Sequence, residues 1–92
     1  VAVAGGNPHA AEAVQHAKEA VEHGKKGHAD VLLKHAEGAL KHAEAAEKET
    51  KNMQVTEGIK GLKEGIAQGK AGHADAAAQA IENAIPHLSE AM

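Results

Sequence analysis

HAAEAVQHAKEAVEHGKKGHADVLLKHAEGALKH, residues 9–42, is the stretch whose reading decides the fold. It carries two histidine series, His9/His16/His23 and His28/His35/His42, each spaced by seven residues, with Gly24-Lys25-Lys26-Gly27 between them. Seven residues are about two turns of an α-helix, so each series lines one stripe of one helix. The residues between are mostly Ala, Glu and Lys, which are strong helix formers. The numbering also pairs the two series. His9 with His42, His16 with His35 and His23 with His28 each sum to 51. Positions of constant sum face each other in an antiparallel hairpin, here with its turn centred between Lys25 and Lys26. Three His–His rungs follow, about 10 Å apart along the axis. Packed helix axes lie about 8–10 Å apart, a gap that two imidazoles and one metal ion can bridge.

Outward from this stretch the pattern repeats. Residues 12–46 align with residues 57–91 at an offset of 45, with 13 of 35 positions identical. The closest correspondence is Gly24-Lys25-Lys26-Gly27-His28-Ala29-Asp30 with Gly69-Lys70-Ala71-Gly72-His73-Ala74-Asp75. Each copy reads as helix, short Gly-flanked turn, helix. Helix 1 starts with Asn7 as N-cap and Pro8 as first helical residue, and ends near His23, with Gly24 placed for the left-handed position. Helix 2 spans about His28 to Lys51. Asn52 or Thr56 caps helix 3, which ends near Gln68 at Gly69. Helix 4 spans about His73 to Glu90, and Pro86 predicts a kink or an early end.

Apolar residues recur at helical spacing: Val14/Ala17/Val21, Leu32/Ala36/Leu40/Ala43, Val55/Ile59/Leu62/Ile66 and Ala77/Ile81/Ile85/Leu88. The expected fold is all-α, an antiparallel up-down-up-down four-helix bundle built from two duplicated hairpins, 7–51 and 52–91, forming a single domain over 1–92. Residues 1–6, VAVAGG, read as a frayed terminus. The chain does not begin with Met, which fits either a mature product whose signal peptide has been removed or a trimmed chain.

Composition narrows the function. Phe, Tyr, Trp and Cys are absent, and 17 large apolar residues stand against 22 alanines, so the core buries little area and stability without a ligand is expected to be modest. A net charge of −3 gives no basic footprint for nucleic acid, and no stacking aromatics exist for single strands. No apolar run reaches the roughly 20 residues that span a bilayer. Without Cys there are neither disulfides nor thiolate metal sites.

What remains is histidine. The candidate ligands are His9, His16, His23, His28, His35 and His42, with Glu12 and Glu19 beside the first stripe: each glutamate follows one histidine by three residues and precedes the next by four. They serve as ligands or as groups that orient the imidazoles. A helical wheel sets the second stripe at the border of the apolar face and the first far from Val14 and Val21, close to solvent, so the sites should be shallow. Such His-plus-carboxylate sites suit Cu(II), Zn(II) and Ni(II), with Cu(II) first in the affinity order. Imidazole binds metal in its neutral form, so release is expected as pH falls through about 6. His73 and His87 are candidates too, but their rung partners are Gln68 and Gln54, and the middle rung is Gly61 with Ala80. Asp30 and Asp75 fit the helix N-terminus through its dipole. Met53 and Met92 read as core or tail rather than copper(I) ligands. Gly58, Gly61 and Gly65 share one side of helix 3, either through close helix approach or through drift.

With these motifs in place, the chain resembles the small metal-binding protein family of ammonia-oxidising bacteria, His-rich periplasmic four-helix bundles with seven-residue His spacing. The residues carrying the resemblance are His-Gly-Lys-Lys-Gly-His-Ala-Asp at 23–30, Leu-Lys-His-Ala-Glu-Gly-Ala-Leu-Lys-His-Ala at 33–43, Met-Gln-Val-Thr-Glu-Gly-Ile-Lys at 53–60 and Gly-Lys-Ala-Gly-His-Ala-Asp at 69–75. The resemblance implies a periplasmic scavenger or buffer of metal, copper foremost. The second hairpin departs from the family: Gln54, Gly61, Gln68 and Ala80 stand where histidine is expected, which concentrates capacity on the first hairpin.

An enzyme is not expected. The Glu-x-x-His motif of di-iron bundles does not occur, no Cys nucleophile exists, Ser89 has no organised base, and a haem would lack its apolar aromatic pocket. The competing reading is a metal-dependent interaction or delivery module that docks with a partner protein. The chain is expected to be a monomer, with metal-bridged self-association through surface histidines left open.

Overall fold

The computed structural model describes residues 7–92. Four helices follow in order, α1 Pro8–Lys25, α2 Ala29–Glu49, α3 Met53–Lys70 and α4 Ala74–Ser89, with no strand among the described residues. They form the expected up-down-up-down bundle, 44 × 19 × 17 Å, in which each helix packs on its two neighbours in a ring.

The starts follow the cap chemistry. The Asn7 side chain accepts from His9 N–H at 2.8 Å ahead of Pro8, and Asn52 accepts from Gln54 N–H at 2.7 Å. Asn52, not Thr56, therefore caps α3. Thr56 lies inside the helix and donates its hydroxyl to Glu47 Oε2 at 2.6 Å, tying α3 to the end of α2. Asn7 N–H also donates to Ala91 O at 2.9 Å, joining the start of α1 to the end of α4.

The turns correct the expected helix ends. α1 runs on to Lys25, and Gly24 is a buried helical residue, because a Cβ there would collide with the Leu32 side chain and sit 3.0 Å from Ala78 Cβ. The left-handed residue is Gly27, at φ +83°, with Gly27 N–H donating to Gly24 O and His28 N–H to His23 O, both at 3.0 Å. This is a Schellman closure. At the second turn Gly72 has φ +84°, and His73 N–H donates to Gln68 O at 2.9 Å. The two turns thus share one backbone solution, and Gly69, like Gly24, is a packing residue. α2 stops at Glu49 because Thr50 is already extended toward the Asn52 cap. Pro86 does not end α4, which continues to Ser89; the ring costs one backbone donor in the last turn, where Leu88 remains fully buried. Met53 is 80% exposed and is not a core residue. The VAVAGG segment lies outside the described residues.

Of the 20 buried apolar residues, 11 are alanines, and most of these lie on α1 and α2: Ala10, Ala13, Ala17 and Ala20 on the first, Ala36, Ala39, Ala43 and Ala46 on the second. The second hairpin solves the same problem with glycine against larger side chains. A Cβ on Gly58 would stand 2.5 Å from Leu88 Cδ2, one on Gly61 would stand 2.8 Å from Ala84 Cβ, and one on Gly65 would overlap Ile81. The glycine side of α3 is a close-approach surface. Gly65→Ala should gain about 1 kcal/mol in helix propensity but lose about 1–3 kcal/mol to overpacking. Thermal denaturation should therefore show a lower Tm, by roughly 4–8 °C for each kcal/mol lost.

Candidate metal centre

The two histidine stripes meet along the seam between α1 and α2. The three expected rungs are present, with ring centroids 5.4 Å apart for His9–His42, 5.8 Å for His16–His35 and 6.2 Å for His23–His28. The rungs are not isolated at 10 Å. His16 is also 5.6 Å from His42, and His23 is 5.6 Å from His35, with interplanar angles of 12° and 5°. The six rings form one zigzag stack in the order His9, His42, His16, His35, His23, His28. The cause is side-chain direction. A helical side chain leans toward its own N-terminus, so in antiparallel helices facing side chains lean opposite ways and interleave.

The first stripe is not at the solvent edge. His9, His16 and His23 are half-buried, as are His35 and His42; only His28 of the six is exposed. The wheel anchored on Val14 and Val21 misplaced it, because the buried face of α1 is widened by Ala10, Ala13, Ala17 and Ala20. The stripe borders that wider face.

Donor atoms converge at three places. At the open end, His9 Nδ1 lies 3.2 Å from His42 Nδ1, while His9 Nε2 is 3.8 Å from Glu49 Oε2. In the middle, Glu12, His16 and His42 each offer one ligand atom within 4.8 Å of the others, and so do His16, Glu19 and His35. His35 Nδ1 and Glu19 Oε1 are 3.1 Å apart. His16 Nδ1 and His23 Nδ1 are buried without a hydrogen-bond partner.

These donors fit a borderline divalent ion. Two imidazole nitrogens held about 2.0–2.1 Å from one ion at an angle of roughly 100° would stand close to the His9–His42 separation of 3.2 Å. Nitrogen and carboxylate oxygen, without thiolate, is the donor set of Cu(II), Zn(II) and Ni(II).

His73 and His87 are placed differently. His87 Nδ1–H donates to Gln54 Oε1 at 2.7 Å, and His73 Nδ1–H to Gln68 Oε1 at 3.1 Å. Each is a single imidazole paired with an amide, with no second imidazole beside it. At the middle rung, the close contact of Gly61 with α4 leaves no width for a facing pair of rings. Asp30 Oδ1 accepts from Val31 N–H at 2.9 Å, consistent with its place in the first turn of α2 rather than on the seam.

Two residues of the seam were missed. Glu49 is one seven-residue step beyond His42, so continuing the stripe would have found it. Gly38 is the one glycine of α2, between His35 and His42, and the His16 ring rests on it: a Cβ there would stand 3.5–3.6 Å from His16 Nδ1, Cγ and Cε1.

The family model for the small metal-binding protein matches residues 1–91. The chain belongs to the small metal-binding protein family. No curated protein matches it. Membership in this family and the convergent His and Glu groups agree on metal binding as the chemistry of the chain. No helix among the described residues is long and apolar enough to cross a membrane.

Gly38 offers a test of how the seam is built. Gly38→Ala adds only an ordinary contact to the His16 ring, so it should raise stability by about 0.5–1 kcal/mol and leave metal affinity unchanged. Gly38→Leu should displace the ring and weaken binding tenfold or more, with the helical circular dichroism retained. Metal titration and thermal melts of both variants make the comparison.

Proposed function

We propose that this protein binds divalent transition metals, Cu(II) foremost, along the α1/α2 seam, to scavenge and buffer them. The ligands are His9, His16, His23, His28, His35 and His42, with Glu12, Glu19 and Glu49 supplying carboxylates. His73 and His87 add weaker positions, each an imidazole with a glutamine amide at its side. The observation that carries this reading is the pair of His/Glu groups whose ligand atoms lie within 4.8 Å of one another on a preformed stack of imidazoles. Cu(II) leads because it stands highest among divalent first-row ions for a nitrogen–oxygen donor set.

Half-buried seats at a helix seam suit exchange better than permanent retention. Buffering asks only for many accessible donors, and the protein is read as non-catalytic because its family is one of metal binding. A periplasmic location fits a scavenger that meets metal before it reaches the cytoplasm.

Isothermal titration of Cu(II) into metal-free protein at pH 7 is expected to show saturable binding at micromolar concentration or below. Binding confined to the folded state should raise stability by about 2.7 kcal/mol at 100 times Kd, seen as a higher Tm in saturating copper. No heat of binding at tens of micromolar protein, together with an unchanged melting curve, would overturn the reading.

A further inference from the structure

Building on the metal-binding reading, we infer that the two groups in the middle of the seam, Glu12/His16/His42 and His16/Glu19/His35, are alternative seats for one ion rather than two sites. Both contain His16. An imidazole has two nitrogens and could in principle serve two ions. Here one of the two is closed off: His16 Nδ1 is buried with no partner, against the α2 backbone at Gly38. That leaves Nε2, and one lone pair binds one ion.

Deprived of His16, either seat retains a single imidazole and a single carboxylate, His42 with Glu12 or His35 with Glu19. Neither remnant chelates as the full group does. Charge acts in the same direction. Two divalent ions flanking one ring would repel four times as strongly as two unit charges at that distance, and the nearest carboxylates supply only one negative charge to each. The seam therefore holds one ion at its centre, with a second seat in reserve that draws on the same His16 nitrogen.

The test is the number of Cu(II) ions bound per full-length chain, by equilibrium dialysis and native mass spectrometry. The variants are Glu12→Ala, Glu19→Ala, the double variant, and His16→Ala with His16→Gln. Glu12 is exposed and the Glu19 side chain is 46% exposed, so their removal leaves the core in place, which circular dichroism checks. Each single glutamate variant is expected to keep the wild-type ion count, because the ion takes the other seat. The double variant and both His16 variants are expected to bind one ion fewer. If each single variant loses one ion and the His16 variants lose two, the sites are independent and the sharing is overturned while metal binding stands. A wild-type chain that binds no copper overturns the metal-binding reading and the shared seat with it.

Discussion

Small side chains set the distance between α1 and α2, and the rest of the site depends on that distance. Alanines at 10, 13, 17 and 20 of α1 and at 36, 39, 43 and 46 of α2 are all fully buried. With methyl groups as most of the spacers, beside Val14, Val21 and Leu32, imidazoles from both helices overlap along the edge of the contact. Leucine in these positions would bury more area and hold the helices further apart. The core gives up apolar area, at about 25 cal/mol per Å², and the imidazoles come within stacking distance. An alanine-rich core and a histidine-rich seam are one arrangement.

The direction of helical side chains then turns three rungs into a continuous stack. Each interior ring has a neighbour on both sides, as His16 has His42 and His35, and His23 has His35 and His28. Carboxylates enter from both helices: Glu12 and Glu19 from α1, and Glu49 from the last turn of α2, where Asn7 Nδ2 also donates to it at 3.0 Å. The result is a line of nitrogen and oxygen donors along one hairpin, held by helices rather than loops and half-buried over most of its length.

The second hairpin repeats the first in its turn and departs from it in its packing. Gly72 repeats Gly27 to within a degree in φ, and His73 repeats His28 as the residue between helices. Between α3 and α4, however, glycines receive Leu88, Ala84 and Ile81, and the helices press together where the first hairpin leaves room for rings. His87 and Gln54 still meet as a rung, joined by a hydrogen bond. This hairpin supplies much of the large apolar core, with Val55, Leu62, Ile81 and Leu88 almost wholly enclosed. One hairpin holds the donors; the other carries more of the hydrophobic burial that keeps the bundle folded.

The sequence by itself determined the helices, their antiparallel order and which histidines face each other, because these follow from local periodicity and from the arithmetic of a tight turn. Asn7 as the cap of α1, the two rows of apolar residues on α3 and α4, and the pairing of His9, His16 and His23 with His42, His35 and His28 all rest on spacing along the chain, whereas the choice of Asn52 over Thr56 as the cap of α3 does not. Tertiary structure decided what spacing leaves open. That Gly24 is a packing glycine, pressed by Leu32 and Ala78, while Gly27 takes the left-handed position, emerges only in the folded bundle. The half-burial of the first histidine stripe depends on alanines that a wheel weighted to valine ignores. The glycines of α3 acquire their meaning from side chains on α4. And the sharing of His16 between two carboxylates arises only when opposed leans interleave the rings over Gly38, a consequence of two helices in contact that neither helix carries alone.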